Sequence, residues 1–351
     1  MTKAYIDLRS DTVTLPKKEM IDAIVHARLG DDILGEDETV RELERKAADI
    51  FGMEDALLVM SGTMANQVAM MTFAQRGQEI ILGKDSHIFN LEGAAMAVVA
   101  QVQPRPVEVH NGYFDPEVIE AEIQCGDIQR AATGFICLEN TYNLNKGQIV
   151  SAENMGEIKD LAQQYGLPVY MDGARIFNAL VELGIPATNM GEYVDAIQVC
   201  LTKGLGCPLG SILAGSKEFI SKAKLNRQRL GGGMRQAGII AAPGIYALDH
   251  MITRLKDDHK RAEKLAKGIM EIEGLEVDRS EVQTNIISPM ISAENLDADQ
   301  LINSLHEKGI KVKKVGKRQF RMIAHYQITD KDVEYVLENL KRAVSKQGTL
   351  L

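Results

Sequence analysis

Cysteine is scarce in this chain: Cys125, Cys137, Cys200 and Cys207 are the only four among 351 residues, with neither CxxC spacing nor a paired His motif. That excludes a disulfide scaffold and a zinc site, and leaves reduced thiols that behave as small hydrophobes. No metal site is predicted. Long apolar runs are missing too. A membrane-spanning helix needs about 20 uninterrupted apolar residues. The best stretches here, 93–102 and 237–248, are too short or carry Gly and Pro. Positive charge is in deficit, with 40 Lys and Arg against 49 Asp and Glu and a formal net charge of −9. Neither nucleic acid nor an acidic membrane surface is therefore an expected partner. The opening MTKAYIDLRSDTV sets charges where a signal peptide needs an apolar core, so the expected compartment is the cytoplasm.

What is present is an ordinary globular composition, 45% hydrophobic and 25% charged, with no internal repeat or low-complexity tract. At about 150 residues per domain, the length gives two domains. From about residue 53 to 215, short apolar runs alternate with helical patterns: ALLVM (56–60), EIILG (79–83), AVVAQV (97–102), GFICLE (134–139), PVYMD (168–172), AIQVCL (196–201) and GSILAG (210–215). Such spacing predicts an α/β fold, a mostly parallel sheet covered by helices on both faces. Helices are expected at 37–51, 64–75 and 151–166, the last with Ser151 as N-cap and Gly166 as its stop. A long helix is expected over 237–273, broken near its start by Pro243 and Gly244. Beyond it, strand-like LEVDR (275–279), NIISPMI (285–291), IKVKKV (310–315) and QFRMIAH (319–325) alternate with helices at 297–308 and 329–345, the latter capped by Thr329. We expect an N-terminal arm and large domain over 1–249, and a small α+β domain over 250–351.

In a doubly wound sheet, ligands bind beyond the carboxyl ends of the strands. Five of those ends carry polar or Gly-rich sequence. ALLVM leads to Ser61-Gly62-Thr63-Met64 and a helix start, either an anion turn or an ordinary connection. EIILG leads to His87, a ring able to stack on another, or a structural imidazole. GFICLE ends at Glu139-Asn140-Thr141-Tyr142-Asn143, where Tyr142 is able to donate to a substrate hydroxyl. PVYMD ends at Asp172 with Arg175 three residues on, a site carboxylate or half of a structural pair. AIQVCL ends at Thr202-Lys203-Gly204, a lysine that is either solvated or an amine nucleophile. The glycines Gly204, Gly206 and Gly210 do not match GxGxxG, and Pro208 interrupts the helix a dinucleotide site requires. An anion turn, an imidazole, a strand-end Asp and a strand-end Lys together are what pyridoxal 5'-phosphate requires: phosphate anchor, ring stack, pyridinium partner and Schiff base.

Seven blocks carry a resemblance: IDLRSDTVT (6–14), GDDILGED (30–37), SGTMAN (61–66), ENTYN (139–143), MDGARIFNA (171–179), LTKGLGCPLGS (201–211) and GGGMRQAGIIAAPGIYAL (231–248). In this order they resemble the low-specificity L-threonine aldolases, of the β-eliminating-lyase branch of the aspartate-aminotransferase-like (fold type I) pyridoxal-phosphate enzymes. The resemblance implies retro-aldol cleavage of L-threonine, L-allo-threonine and similar β-hydroxy-α-amino acids to glycine and an aldehyde. It makes Lys203 the Schiff-base lysine, Asp172 the partner of the pyridine nitrogen and His87 the stacking imidazole. Gly62, Thr63 and Met64 become the phosphate turn, and Ser10, Arg175 and Arg321 the groups that bind the amino-acid carboxylate. Arg235 is similar to a basic residue near the phosphate contributed by a neighbouring subunit, in a homotetramer built as a dimer of dimers. Where the family often has His this chain has Tyr142, a poor base at neutral pH with an ordinary pKa of about 10. His87 is thus the first candidate base and Tyr142 the second. A related pyridoxal-phosphate β-eliminating lyase or racemase on the same scaffold is the alternative.

Overall fold

A computed structural model describes residues 5–345. The chain divides into two compact units, one made of Leu15–Asn145 and Ile149–Ile252, the other of the residues up to Thr14, Lys146–Gln148 and those from Thr253 onward. The first strand, β1 (Ile6–Asp7), belongs to the smaller unit. The next seven build the larger one: β2 (Asp55–Val59), β3 (Glu79–Gly83), β4 (Gln103–Val107), β5 (Thr133–Glu139), β6 (Val169–Asp172), β7 (Ala196–Cys200) and β8 (Ser211–Gly215).

These seven form one sheet of order β2-β8-β7-β6-β5-β3-β4. Strands β3 to β7 pair in parallel, while β8 runs antiparallel to both β7 and β2. With β8 the one reversed strand, the carboxyl ends of β2, β3, β5, β6 and β7 share one edge. Every residue of β3, β5, β6, β7 and β8 is buried, which is why each reads as a mainly apolar run without alternation.

The run AVVAQV departs from expectation. Met96–Ala100 is a helical turn with Met96 and Ala100 buried, and the strand is the following QPRPV of β4. That strand pairs with β3 alone, at the sheet edge, where Pro104 and Pro106 can lack an N–H without breaking an interior ladder.

The helices α1 (Lys18–Val25), α2 (Glu38–Phe51) and α3 (Gly62–Phe73) open the larger unit. Asp37 caps α2 by accepting the Val40 N–H, and Ser61 caps α3 by accepting that of Met64. Val68 and Ala69 of α3 and Phe219, Ile220 and Ala223 of helix Lys217–Arg229 share a core with Leu57, Leu82 and Phe135 of the sheet. Ser151 caps the helix Ala152–Gln164 as expected. The long helix expected over 237–273 is two, Gly238–His250 and Leu255–Met270; Pro243 lies inside the first, and the break falls at 251–254.

In the smaller unit, strands β9 (Leu275–Glu276), β10 (Ile286–Ile287), β11 (Met290–Ile291), β12 (Ile310–Lys311), β13 (Lys313–Gly316) and β14 (Gln319–Ile323) pair as β10-β14-β11-β9, with β13 on β14. The helix Ala298–Glu307 starts with a reciprocal Asp297–Gln300 capping box, and Thr329 accepts the Asp332 N–H at the start of Asp330–Ser345. The N-terminal arm, expected with the large domain, groups here instead. Its strand β1 pairs in parallel with β12, and Leu8 is fully buried among Leu301, Ile310 and Phe320. Among the described residues no helix is long and apolar enough to cross a membrane.

Candidate active site

Each strand of the shared edge delivers one group. Past β2, the exposed Ser61 and Thr63 flank the start of the 12-residue helix α3, whose first N–H groups point outward with the positive end of the helix dipole. Gly62 seats this turn on the end of β7: a Cβ there would lie 2.9 Å from the Cys200 sulfur. Past β3, His87 opens the short helix His87–Asn90. Its side chain is one-third exposed and its Nδ1 stands 3.0 Å from Glu92 Oε1.

β5, β6 and β7 bring Glu139, Asp172 and Gln198 into register as neighbours, a polar row across three otherwise apolar strands. Asp172 is buried; Oδ2 accepts from Asn66 Nδ2 at 2.9 Å, and Oδ1 from Gln198 Nε2 and from the Ala174 N–H at 3.1 Å. Glu139, also buried, accepts the N–H groups of His87 at 2.6 Å and Asn143 at 2.9 Å. Burial beside Asp172 pushes its carboxyl up to about 8. The hydrogen bond to Glu92 raises the His87 pKa against the opposing effect of burial, helped by the charges of Asp172 and Glu92.

Past β7, Lys203 sits in a single 3₁₀ turn with φ of 61°, the left-handed region that non-glycine residues rarely adopt. Backbone strain of this kind concentrates where a side chain must point to one place. Its Nζ lies 3.1 Å from Cys200 Sγ. Arg175 is buried just beyond β6, with Nη1 3.3 Å from Asn143 Oδ1.

The structure thus gathers Gly62, Thr63, Met64, His87, Asp172, Arg175 and Lys203 along one edge. Arg235, itself exposed, lies on the 231–236 loop, held to Asp31 at 2.9 Å. Ser10 and Arg321 belong to the smaller unit. There the Ile323 N–H donates to Leu8 O, so the arm carrying Ser10 runs beside the strand carrying Arg321.

Tyr142 lies in the core. Its side chain is fully buried and its hydroxyl accepts the Asp85 N–H at 2.9 Å, while Gly83 leaves the space it fills. Burial pushes its pKa far above the ordinary phenol value, which keeps it a neutral phenol. The sequence reading gave no role to Asn66, Gln67, Glu92 and Gln198, nor to Glu139 within its polar cluster, all of them buried and polar. A polar residue within an apolar run, such as Gln198 in AIQVCL, was the available signal.

The family model for beta-eliminating lyases matches residues 7–292. The chain belongs to the beta-eliminating lyase family. The lyase is 40% identical to low-specificity L-threonine aldolase 1 of Arabidopsis thaliana, over 98% of each chain. It is 39% identical to the low specificity L-threonine aldolase of Escherichia coli K12, over 84% of this chain and 86% of that one. In three dimensions it superposes on the threonine aldolase of Leishmania major with a TM-score of 0.82 at 18% identity, covering 97% of this lyase and 99% of the other chain.

Proposed function

We propose that this lyase cleaves the Cα–Cβ bond of L-threonine, L-allo-threonine and similar β-hydroxy-α-amino acids, giving glycine and acetaldehyde or the corresponding aldehyde, with pyridoxal 5'-phosphate as cofactor. The observation that carries the reading is the meeting of Lys203, Asp172, His87 and the α3 start on one sheet edge, in a chain 40% identical over nearly its whole length to a threonine aldolase.

The donor set fits the cofactor. An outward-facing helix start suits a phosphate, a buried carboxylate suits a protonated ring nitrogen, a part-exposed imidazole suits a flat ring, and a strand-end amine suits an aldehyde. Lys203 is the anchoring amine, Asp172 the ring-nitrogen partner, His87 the stacking group, and residues 62–64 the phosphate turn. When bound, the cofactor supplies an electrophilic carbon for the substrate amine and a sink for the electron pair left on Cα. Ser10, Arg175 and Arg321 bind the amino-acid carboxylate, a role that rests on their motifs; guanidinium forks fix orientation better than an ammonium does. His87 takes the β-hydroxyl proton at Nε2, Tyr142 being buried and engaged.

The working form is a homotetramer, a dimer of dimers, in which Arg235 reaches a neighbour's phosphate. Support comes from Leu15, Ile21, Val25, Leu29, Ile33 and Leu34, apolar side chains exposed within twenty residues of the larger unit.

The test is acetaldehyde release from L-threonine and L-allo-threonine in separate assays, with and without added cofactor, against Lys203→Ala. Release that needs Lys203 supports the reading, whereas Lys203→Ala retaining full activity sinks the lysine assignment. A Schiff-base absorbance band without release from either substrate transfers the chain to β-elimination or racemisation.

A further inference from the structure

We propose that Glu92 is a positioning residue of this site: its carboxylate holds the His87 ring by Nδ1 and, through the shared amide of Asn66, locks that ring to Asp172. The proposal rests on the aldolase reading for its kinetic consequence, but its geometry and its first test stand without it.

The Glu92 side chain has no exposed surface. A carboxylate buried to that degree is costly unless donors surround it. Glu92 has three: Asn66 Nδ2 at 2.7 Å and His87 Nδ1 at 3.0 Å on Oε1, and Gln67 Nε2 at 2.9 Å on Oε2. Asn66 and Gln67 are adjacent buried residues of α3, in a stretch whose other side chains are apolar. Two amides there serve no packing purpose that a Leu would not serve better. Their placement makes sense as a cradle for this one carboxylate.

Asn66 does more than fill a valence. One end of its amide faces two carboxylates, which only accept, so that end is the nitrogen, and the oxygen accepts the Tyr170 hydroxyl at 2.8 Å. That nitrogen then donates to both Glu92 and Asp172. Ligand atoms of His87, Glu92 and Asp172 accordingly fall within 4.8 Å of one another. A single amide spaces the carboxylate behind the imidazole from the carboxylate at the end of β6.

The chemical consequence is a fixed tautomer. An Nδ1 facing a carboxylate oxygen carries the ring proton and leaves Nε2 as the nitrogen that gains and loses one. This is the role a carboxylate plays behind the imidazole of hydrolase triads, where it sets tautomer and orientation without itself reacting. Glu92 reaches the reaction only through His87.

The test uses the full-length protein with selectively labelled histidine, His87 being assigned by comparison with His87→Asn. In the wild type, NMR should show Nε2 as the titrating nitrogen and Nδ1 protonated throughout; titration at Nδ1 overturns the proposal without any Glu92 variant. Glu92→Gln removes the charge and keeps the shape. Its His87 midpoint should fall by about one pH unit, since Asp172 still faces the ring. Glu92→Asp should stay nearer the wild type. A folded Glu92→Gln protein with the wild-type midpoint refutes the assignment. In turnover, neutral His87 is the active base, so the acid limb of kcat should move to lower pH in Glu92→Gln. The plateau should drop about tenfold or more while KM holds. Should the wild type release no acetaldehyde, the aldolase reading fails while the NMR result still decides the role of Glu92.

Discussion

The hydroxyl of Tyr142 accepts the backbone N–H of Asp85 at 2.9 Å, and no part of the Tyr142 side chain is exposed. The residue fastens the loop after β5 to the loop after β3, one strand over in the sheet. Tyr142→Phe keeps the ring, whose centroid lies 5.9 Å from that of Phe114, and deletes only this bond. The Asp85 N–H then loses its partner, a cost of about 1 kcal/mol. Acetaldehyde release should remain within a few-fold of the wild type. A loss of about a hundredfold in kcat with the fold intact would return Tyr142 to the chemistry.

The contrast between Tyr142 and Lys203 shows what a sequence discloses about such a site. Lys203, Asp172 and His87 were legible because each follows an apolar strand at the edge where α/β sheets bind ligands. Tyr142 follows one as well, but strand position says nothing about which way a loop side chain turns. Asn66, Gln67 and Glu92 escaped notice because a buried polar network is held together by partners up to 106 residues apart, as with Asn66 and Asp172. The same limit hid β4, a short edge strand with two prolines, behind the more apolar AVVAQV.

A second prediction concerns stability. Glu44 of α2 is buried, and its Oε1 accepts the Leu58 N–H of β2 at 2.8 Å. Burial pushes its carboxyl from an ordinary 4.5 up to about 7. Between those values the folded protein binds one proton more than the unfolded chain, so stability falls as pH rises through this window. Glu44→Gln retains the acceptor and has no charge to bury. It should match the wild type near pH 4.5 and exceed it above pH 7 by on the order of 3 kcal/mol. Urea unfolding of both proteins at pH 5 and pH 8 measures this, and an unchanged difference between the two pH values would remove Glu44 as the source.

The turn at Gly62 gives a prediction about the cofactor. Gly62 does not need a glycine backbone, because its φ is not positive; it needs the space. An added Cβ would stand 2.9 Å from Cys200 Sγ and 3.3 Å from Gln198 Oε1. Gly62→Ala therefore pushes the start of α3 off the end of β7, and moves the N–H groups read as the phosphate site relative to Lys203 and Asp172. Overpacking of this size costs about 1–3 kcal/mol, which as lost binding energy is roughly a 5- to 150-fold weaker hold on the cofactor. Adding Cys200→Ala in the same chain removes the nearest obstacle and should recover part of the loss. Titrating cofactor-free protein with pyridoxal 5'-phosphate, followed by the Schiff-base band, compares the two variants. Wild-type affinity in Gly62→Ala would mean that the phosphate is held by a part of the chain other than this turn.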